Sequence, residues 1–563
     1  MRIKEILQAP RRSRRLAHIV RVCVSNGLGF LVAKLGVADR LPPWARIPSI
    51  TKTKKPEDLP VRFARVLEEL GPTAVKFGQM MSSRPDLLPP EYIEELERIC
   101  HHVAPFPADT ARSIVEDELR DNASDLFKEF SKEPLASGSI AQVHEAVLKD
   151  GSSVVVKVRR PRIEETVEDD LSIMQFLAEQ ADKLEEFKPF RLPMLVEEFG
   201  RGIRNEMNLM TEGAHTHRFH QAFKDDETLV IPEVHWNYCS PKVLTLSMVK
   251  GTYLNELADT PKGANFDNQK IAETILDRFL TQFFELGLFH ADPHLGNILV
   301  MKGGKIGLID FGLTGRLGDT LRRQLGTYVI ALGNKQFEFA AEILLETGAF
   351  PPDINRSEFK AEVSGLLERY YNVPFEKIDL RNAFQEVMRS VRRFNGVMPR
   401  NFVLLGKTLV TIGGMVLRLH PEIDAAELAK PYARKLIVNK FSPENVSKGL
   451  VSNLHHLSML LRTAPQDIRQ IFDRMKSGVV EFAIEHRGLE RYLIDLDKTG
   501  NRLALSIMLA AIIISSTSIL TAELGPKIRL FGWEASGLGL LGYLFGFFLG
   551  IWLVIGIFRS GRI

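Results

Sequence analysis

Hydrophobic positions change period several times along the chain, and each change predicts a different element. "VRFARVLEELGPTAVKFGQMM", beginning at Val61, repeats its apolar residues every three to four positions, which predicts helix over about 60–130. From Pro134 the spacing shortens, and "SIAQVHEAVLKDGSSVVVKV" predicts two strands turning at Asp150-Gly151. Helical periods return near Ile163 and at Ile271–Glu285. Short strands are expected at Ile298–Met301 and Lys305–Ile309 around a "KGGK" turn. From Leu317 to about Gly500 the pattern is helical. Ile468, Ile471, Phe472, Met475 and Val479 form an apolar stripe there, read as core packing.

Two runs abandon alternation. Leu503–Ala522 and Ser536–Phe558 contain no charged residue, and each is long enough to cross a bilayer core as a helix. Lys498 and Arg502 precede the first run and Arg559 and Arg562 follow the second. The "ELGPKIRLFGWEAS" between them balances two basic against two acidic residues. That bias predicts both ends on the cytoplasmic side. Gly542, Gly546 and Gly550 recur every four residues, a face for the first span or for a second copy in a homodimer. The expected order is a basic lead-in at 1–55, a helical extension at 56–130, a mixed core at 131–330, a helical region at 331–500, and spans at 501–522 and 537–558.

Composition narrows this a little. At 563 residues one compact core is not expected. A net charge of only +3 argues against a dedicated nucleic-acid binder. Cys23, Cys100 and Cys239 form neither a disulfide framework nor a CxxC site, in keeping with a reducing compartment. The opening "MRIKEILQAPRRSRRLAHIV" interleaves charge throughout and does not read as a secretory signal. Its basic helix either lies on anionic lipid or packs, solvated, on the rest of the chain.

The candidate chemistry sits in the mixed core. Lys157 lies in the β-branched strand "VVVKV", and "LASGSIAQVH" offers a small-residue turn whose amides can approach phosphate. Neither decides anything alone. Asp292 and Asn297, however, match the D-x4-N of a kinase catalytic loop, and Asp310-Phe311-Gly312 matches DFG. In that chemistry Asp310 and Asn297 bind Mg2+, while Asp292 orients or deprotonates the attacking group. The two motifs, in order after a strand lysine, predict an α+β, bilobal kinase-like fold. His290 and His294 are spaced like metal ligands, but Pro293 disfavours the helix such a site needs, so a structural role for His290 is expected. Ala291 replaces the Arg of HRD, His294 takes the catalytic-loop lysine position, and no APE follows. These departures point away from protein substrates.

"LGPTAVKFGQMMSSRPDLLPPEY" (Leu70–Tyr92) carries Lys76, Gly78 and Gln79 in the KxGQ pattern, and with it the chain resembles the UbiB (AarF) family of atypical kinases from about Val61 through Gly315. The resemblance implies a helical KxGQ extension folded over the cleft, with Lys76 and Gln79 pointing at ATP. It implies a nucleotide loop at Ala136, Ser137, Gly138 and Ser139, where Gly138 interrupts the family's alanine-rich pattern and lends it freedom. It also implies Glu206 as the partner of Lys157, with Glu212 a second acid. The residues themselves leave Glu164, Glu165 and Glu168 open as partners. Asn208 stands where many members have Asp, and His215 where Asn is usual.

The function that follows is a Mg-ATP-dependent ATPase or atypical kinase. Its setting is a bacterial-type inner membrane, with the catalytic domain facing the cytoplasm. Its role is to support ubiquinone, or another isoprenoid quinone, biosynthesis by handling lipid precursors or the enzymes that modify them. The alternatives are a nucleotide-regulated scaffold without turnover and a phosphotransferase acting on a small or lipid substrate.

Overall fold

A computed structural model describes residues 10–36, 59–99, 104–188, 191–258, 266–347, 349–371, 373, 377–440, 489–522, 526–530 and 533–559. Cys100 and the stripe from Ile468 to Val479 lie outside them. The chain divides into two compact units, one up to Gly449 and the other from Leu450.

In the first unit, four antiparallel strands in the order β1-β2-β3-β5 form an upper lobe: β1 Phe127–Ser137, β2 Ala141–Leu148, β3 Ser153–Arg159 and β5 Val243–Ser247. Strand alternation turns Val154, Val156 and Val158 of β3 into a fully buried cluster with Phe127, Ala146, Leu148 and Val243. The helix Ala108–Leu119 covers it with Ala111 and Val115. The same alternation sends Lys157 to the opposite face. Both predicted strands are present. β1 is a difference, because its start lies within the region read as helical, and "FKEFSKEPLAS" alternates too weakly to announce a strand at an exposed sheet edge.

The lower lobe is mostly helical. A small sheet in the order β4-β9-β8-β6 holds β8 Ile298–Val300 and β9 Ile306–Leu308, with β4 Leu229–Val230 and β6 Thr252–Tyr253 at its edges. β7 Leu288–His290 pairs separately with β10 Thr314–Arg316. The helix Asn268–Leu280 runs into a π-helical turn, Thr281–Leu286, before β7. Phe279, Phe283, Phe289 and Phe311 are buried with Leu404, Leu405, Ile412, Met415 and Val416 of the helix Arg400–Leu419. That helix is apolar and long enough to cross a membrane, yet its apolar residues fill this core.

The basic helix Pro10–Ser25 buries Leu16, Ala17 and Val20 against Ile173 and Phe176 of the helix Ile163–Ala181. Arg11 pairs with Glu165, Arg12 with Asp169 and Arg15 with Asp170. Its apolar face is thus spent on the protein, and of the two readings of the lead-in the packed helix is the one observed. The helices Leu59–Leu70, Pro72–Ser82 and Pro90–Glu97 form a third cluster through Leu67, Met81 and Leu96.

The second unit is a helical hairpin, Leu489–Thr521 and Gly537–Arg559, turned by paired strands β11 Lys527–Leu530 and β12 Trp533–Ser536. Leu503–Thr521 passes the length and apolarity needed to span a bilayer. The glycine face lies against the first helix of the same chain: a Cβ at Gly542 would meet Ser516 Oγ at 2.1 Å, and one at Gly539 would meet Leu520 at 2.6 Å. Only a residue without a Cβ permits that approach.

Candidate active site

Lys157 donates to both carboxylate oxygens of Glu212, at 2.8 and 2.7 Å, and lies 3.6 Å from Asp310 Oδ1. Its partner is therefore Glu212, a correction to the expected Glu206. The reason is a helix break. Asn208 leaves the helical region (φ −93°, ψ 95°), accepts from the Met210 amide at 3.2 Å and caps a new helix, Leu209–Ala222. Glu206 and Glu212 thus belong to different helices, and Glu206 pairs with Lys76. The other open acids are engaged elsewhere: Glu164 with Arg159, Glu165 with Arg11, and Glu168 with Arg204. Asn208, which departs from the usual Asp, is an N-cap.

Burial works against the Lys157 charge, but Asp310, Glu212 and Glu206 outweigh it and hold the amine above the ordinary lysine range. Burial pushes Glu212 up to about 7, with Lys157 opposing and Asp310 adding to the rise. Lys157 holds Asp310 below the usual carboxylate range in spite of burial. The cleft thus concentrates the acids Glu206, Glu212 and Asp310 around the amines Lys76 and Lys157. An acid excess of this kind suits a divalent cation.

The catalytic loop runs from β7 to β8. His290 is fully buried: its Nε2 donates to Ile309 O at 3.1 Å, and its Nδ1 accepts from the Asp292 amide at 3.2 Å. His294 Nδ1 accepts from the Gly296 amide. Both rings shape backbone, as expected for His290. Among the described residues no group of three or more His, Cys, Asp and Glu could hold a metal. A Mg2+ site needs less, because that ion binds one or two carboxylates together with substrate phosphates. Asp310 would supply the carboxylate. Asn297 donates through Nδ2 to Asp292 O at 3.1 Å, and its carbonyl accepts from the Ile309 amide at 3.0 Å, next to Asp310. Asp310 has a left-handed backbone, φ 59°, supported by the Gly312 amide donating to its Oδ1. His215, replacing the usual Asn, donates from Nδ1 to Phe311 O at 3.2 Å and so ties its helix to the same loop. The residues present fit Mg2+ and a nucleotide.

The turn Ala136–Ser139, expected to meet the nucleotide, closes β1 onto β2. Arg160 donates to Gly138 O at 2.8 Å and to Ser137 Oγ at 2.7 Å, pinning the turn to the end of β3. The freedom expected of Gly138 is not used, since its backbone is not left-handed. What the missing side chain allows is contact with Ala141 O, which a Cβ would meet at 3.3 Å.

The helix Pro72–Ser82 carries the KxGQ residues. Lys76 pairs with Glu206 and acts electrostatically on Asp310, while Gln79 follows on the same face. Gly78 has a packing role: a Cβ there would lie 3.0 Å from Leu67 and 3.1 Å from Ile99. Beyond the helix, Arg84 makes a bidentate, buried pair with Asp86 at 2.9 and 2.8 Å. Arg392 of the helix Leu380–Arg393 donates to Pro85 O. Sequence reasoning missed Lys407. Its Nζ donates to Ser83 Oγ at 3.1 Å and lies 3.7 Å from Asp292 Oδ1. Its signal was a lone charge in the apolar run between Arg400 and Arg418.

Family models match three stretches of the chain. Residues 98–344 match the ABC1 atypical kinase-like domain, 363–424 the UbiB helical domain, and 487–559 the ABC1/UbiB kinase-like C-terminal domain. A "Probable protein kinase UbiB" of Marinobacter nauticus is 33% identical over 421 residues, 74% of this chain and 76% of that one. The chain belongs to the ABC1/UbiB family. A second "Probable protein kinase UbiB", from Pseudomonas aeruginosa, is 31% identical over 472 residues, 81% of this chain and 88% of its own. A Clostridium pasteurianum protein from the hydrogenase 1 5′ region is 28% identical and covers 98% of this chain and 99% of its own. A Mycobacterium tuberculosis protein solved in complex with erythromycin aligns at a TM-score of 0.45 and 23% identity, over 63% of this chain and 90% of that one; this likeness carries no weight here. The ABC1/UbiB assignment makes the protein a UbiB-type, kinase-like protein with a bilobal core.

Proposed function

We propose that this protein is a membrane-anchored UbiB-type ATPase or atypical kinase that uses Mg-ATP to support isoprenoid-quinone, in the first instance ubiquinone, biosynthesis. The observation that carries the reading is the Lys157–Glu212 pair set 3.6 Å from Asp310 and beside Asn297. When bound, Mg-ATP supplies a transferable phosphoryl group whose charge the metal neutralises. On the protein's side, Lys157 is held protonated to meet phosphate, and Glu212 keeps it in position. The pinned turn Ala136–Ser139 offers backbone amides, Asp310 and Asn297 hold the cation, and Asp292 orients or deprotonates the attacking group. Lys76 and Gln79 stand on the cleft side of the extension.

Anchoring is proposed through the hairpin, whose Ile514, Leu541, Phe547 and Trp552 are exposed on an apolar surface that water would not tolerate. A domain tethered at the bilayer meets precursors with isoprenoid tails at high effective concentration. Quinone-biosynthesis enzymes are the protein partners in this reading, and a second copy of the hairpin is an added one. The Lys76–Glu206 contact favours a second reading, a nucleotide-regulated scaffold, because it fastens the extension to the helix preceding Asn208.

Phosphate release by the purified protein and its Asp310→Asn variant, with Mg-ATP and with or without anionic liposomes, tests the first reading. Release that needs Asp310 and rises with liposomes supports it. Nucleotide binding without release from either protein would select the scaffold, and labelled phosphate recovered on a lipid would select a phosphotransferase.

A further inference from the structure

The loop from His290 to Asn297 contains no lysine or arginine. His294 occupies the position that a lysine holds in a D-x-K-x-x-N loop, and its Nδ1 accepts from the Gly296 amide, so it shapes the turn. A negative side chain at Asp292 and a triphosphate would then face each other with no positive charge from the loop. The structure brings one from elsewhere. Lys407 enters from the helix Arg400–Leu419, 3.7 Å from Asp292 Oδ1, and is the only charged residue between Arg400 and Arg418. Its neighbours Leu404, Leu405 and Thr408 are buried in the lower lobe, whereas the Lys407 side chain is 34% exposed. The apolar helix therefore fixes the base of this side chain and leaves its amine on the cleft side.

The amine is also held from the other direction. Lys407 Nζ donates to Ser83 Oγ at 3.1 Å, and Ser83 Oγ donates in turn to Gln79 O at 3.2 Å. A continuous polar chain thus runs from the KxGQ residue Gln79 through Ser83 and Lys407 to Asp292. A partly exposed pair at 3.7 Å contributes little to stability, so stability alone does not account for this placement.

We propose that Lys407 supplies, from the helical domain, the cation missing from the catalytic loop: it positions Asp292 and recognises the terminal phosphate of a nucleoside triphosphate. The inference rests on the nucleotide reading above. It adds that discrimination of tri- from diphosphate resides outside the kinase-type motifs, and that the KxGQ helix bears on it through Ser83.

The test is nucleotide affinity rather than turnover. Full-length wild type and the variants Lys407→Met, Lys407→Arg and Lys435→Met are titrated with ADP and with a non-hydrolysable ATP analogue, both with Mg2+, and their thermal unfolding is recorded without nucleotide. Lys435 pairs with Glu285 on an exposed surface and controls for loss of a lysine. The expected result for Lys407→Met is analogue affinity about tenfold weaker with ADP affinity unchanged within about twofold, a loss of one well-placed phosphate contact. Lys407→Arg restores most of the discrimination, and Lys435→Met leaves it alone. A parallel fall in both affinities and in thermal stability, or an unchanged ratio in Lys407→Met, overturns the proposal while the nucleotide reading stands. A wild type that binds neither nucleotide overturns both.

Discussion

Two lysine–glutamate pairs stand side by side in this protein and differ in almost everything except their chemistry. Lys157–Glu212 joins a central strand to a helix of the same lobe, and Glu212 is 7% exposed. Lys76–Glu206 joins the KxGQ helix to the neighbouring helix, and its side chains are 25% and 35% exposed. In the first pair the Glu212 carboxylate is buried and Lys157 is only about a fifth exposed, so losing one partner leaves a charge with little water to take its place. In the second, water can take over for either partner. Burial, and not the identity of the residues, therefore separates a fixture of the cleft from a fastening that can open.

The hardest way to break the comparison is Glu212→Ala, which is expected to destabilise the protein by about 3 kcal/mol, the low end for a buried pair, because Lys157 keeps only the more distant Asp310. Urea unfolding of the detergent-solubilised protein measures this, and a loss under 1 kcal/mol would refute it. Asp86→Ala asks whether burial or lobe matters. Arg84–Asp86 belongs to the same extension as Lys76 but is almost completely buried, at 8% and 0% side-chain exposure. We expect about 3 kcal/mol from it by the same assay, close to the core pair. Glu206→Gln should cost only about 0.2–1 kcal/mol, and that loss should shrink in high salt.

The smallest effect concerns acid. Burial lowers the pKa of His144, which donates to Ser131 O and accepts from Gln142 as a neutral ring. A base whose folded pKa is depressed stabilises the fold above its unfolded value, near 6.5, and loses that contribution as pH falls through the folded value. Melting temperature should therefore drop between pH 7 and pH 5 more steeply in wild type than in His144→Gln. Equal slopes would show that His144 does not carry the acid sensitivity.

Much of this site was legible in the sequence because its parts are local. The Asp292–Asn297 and Asp310–Gly312 spacings, the strand lysine and the KxGQ run each fit within one element or one turn. What was not legible depended on a break or on a distance. A single Asn cap at position 208 reassigns two glutamates, and no apolar period reveals it, since both flanking helices carry helical patterns. Lys407 needed the tertiary fold to bring the helix Arg400–Leu419 under the catalytic loop. The upper lobe's β1 and β5 were unannounced for opposite reasons: β1 is mostly polar and lies at an edge, and β5 is short and buried nearly throughout. Hydropathy alone also fails to separate the helix Arg400–Leu419, 39% buried over its apolar window, from Leu503–Thr521, 6% buried. Only the surroundings of each helix distinguish a core element from an uncovered one.

The bond from Lys407 to Ser83 spans 324 positions of sequence. A chain made from its N-terminus outward produces the KxGQ helix early and the residue that closes on it late. Contacts of such separation form only after the intervening chain has been gathered in, so they slow assembly more than they strengthen it. The nascent protein can therefore complete its strand lysine, its loop and its DFG turn on the ribosome while Asp292 still lacks its counter-charge. Synthesis itself keeps the cleft unfinished until the helical domain has emerged.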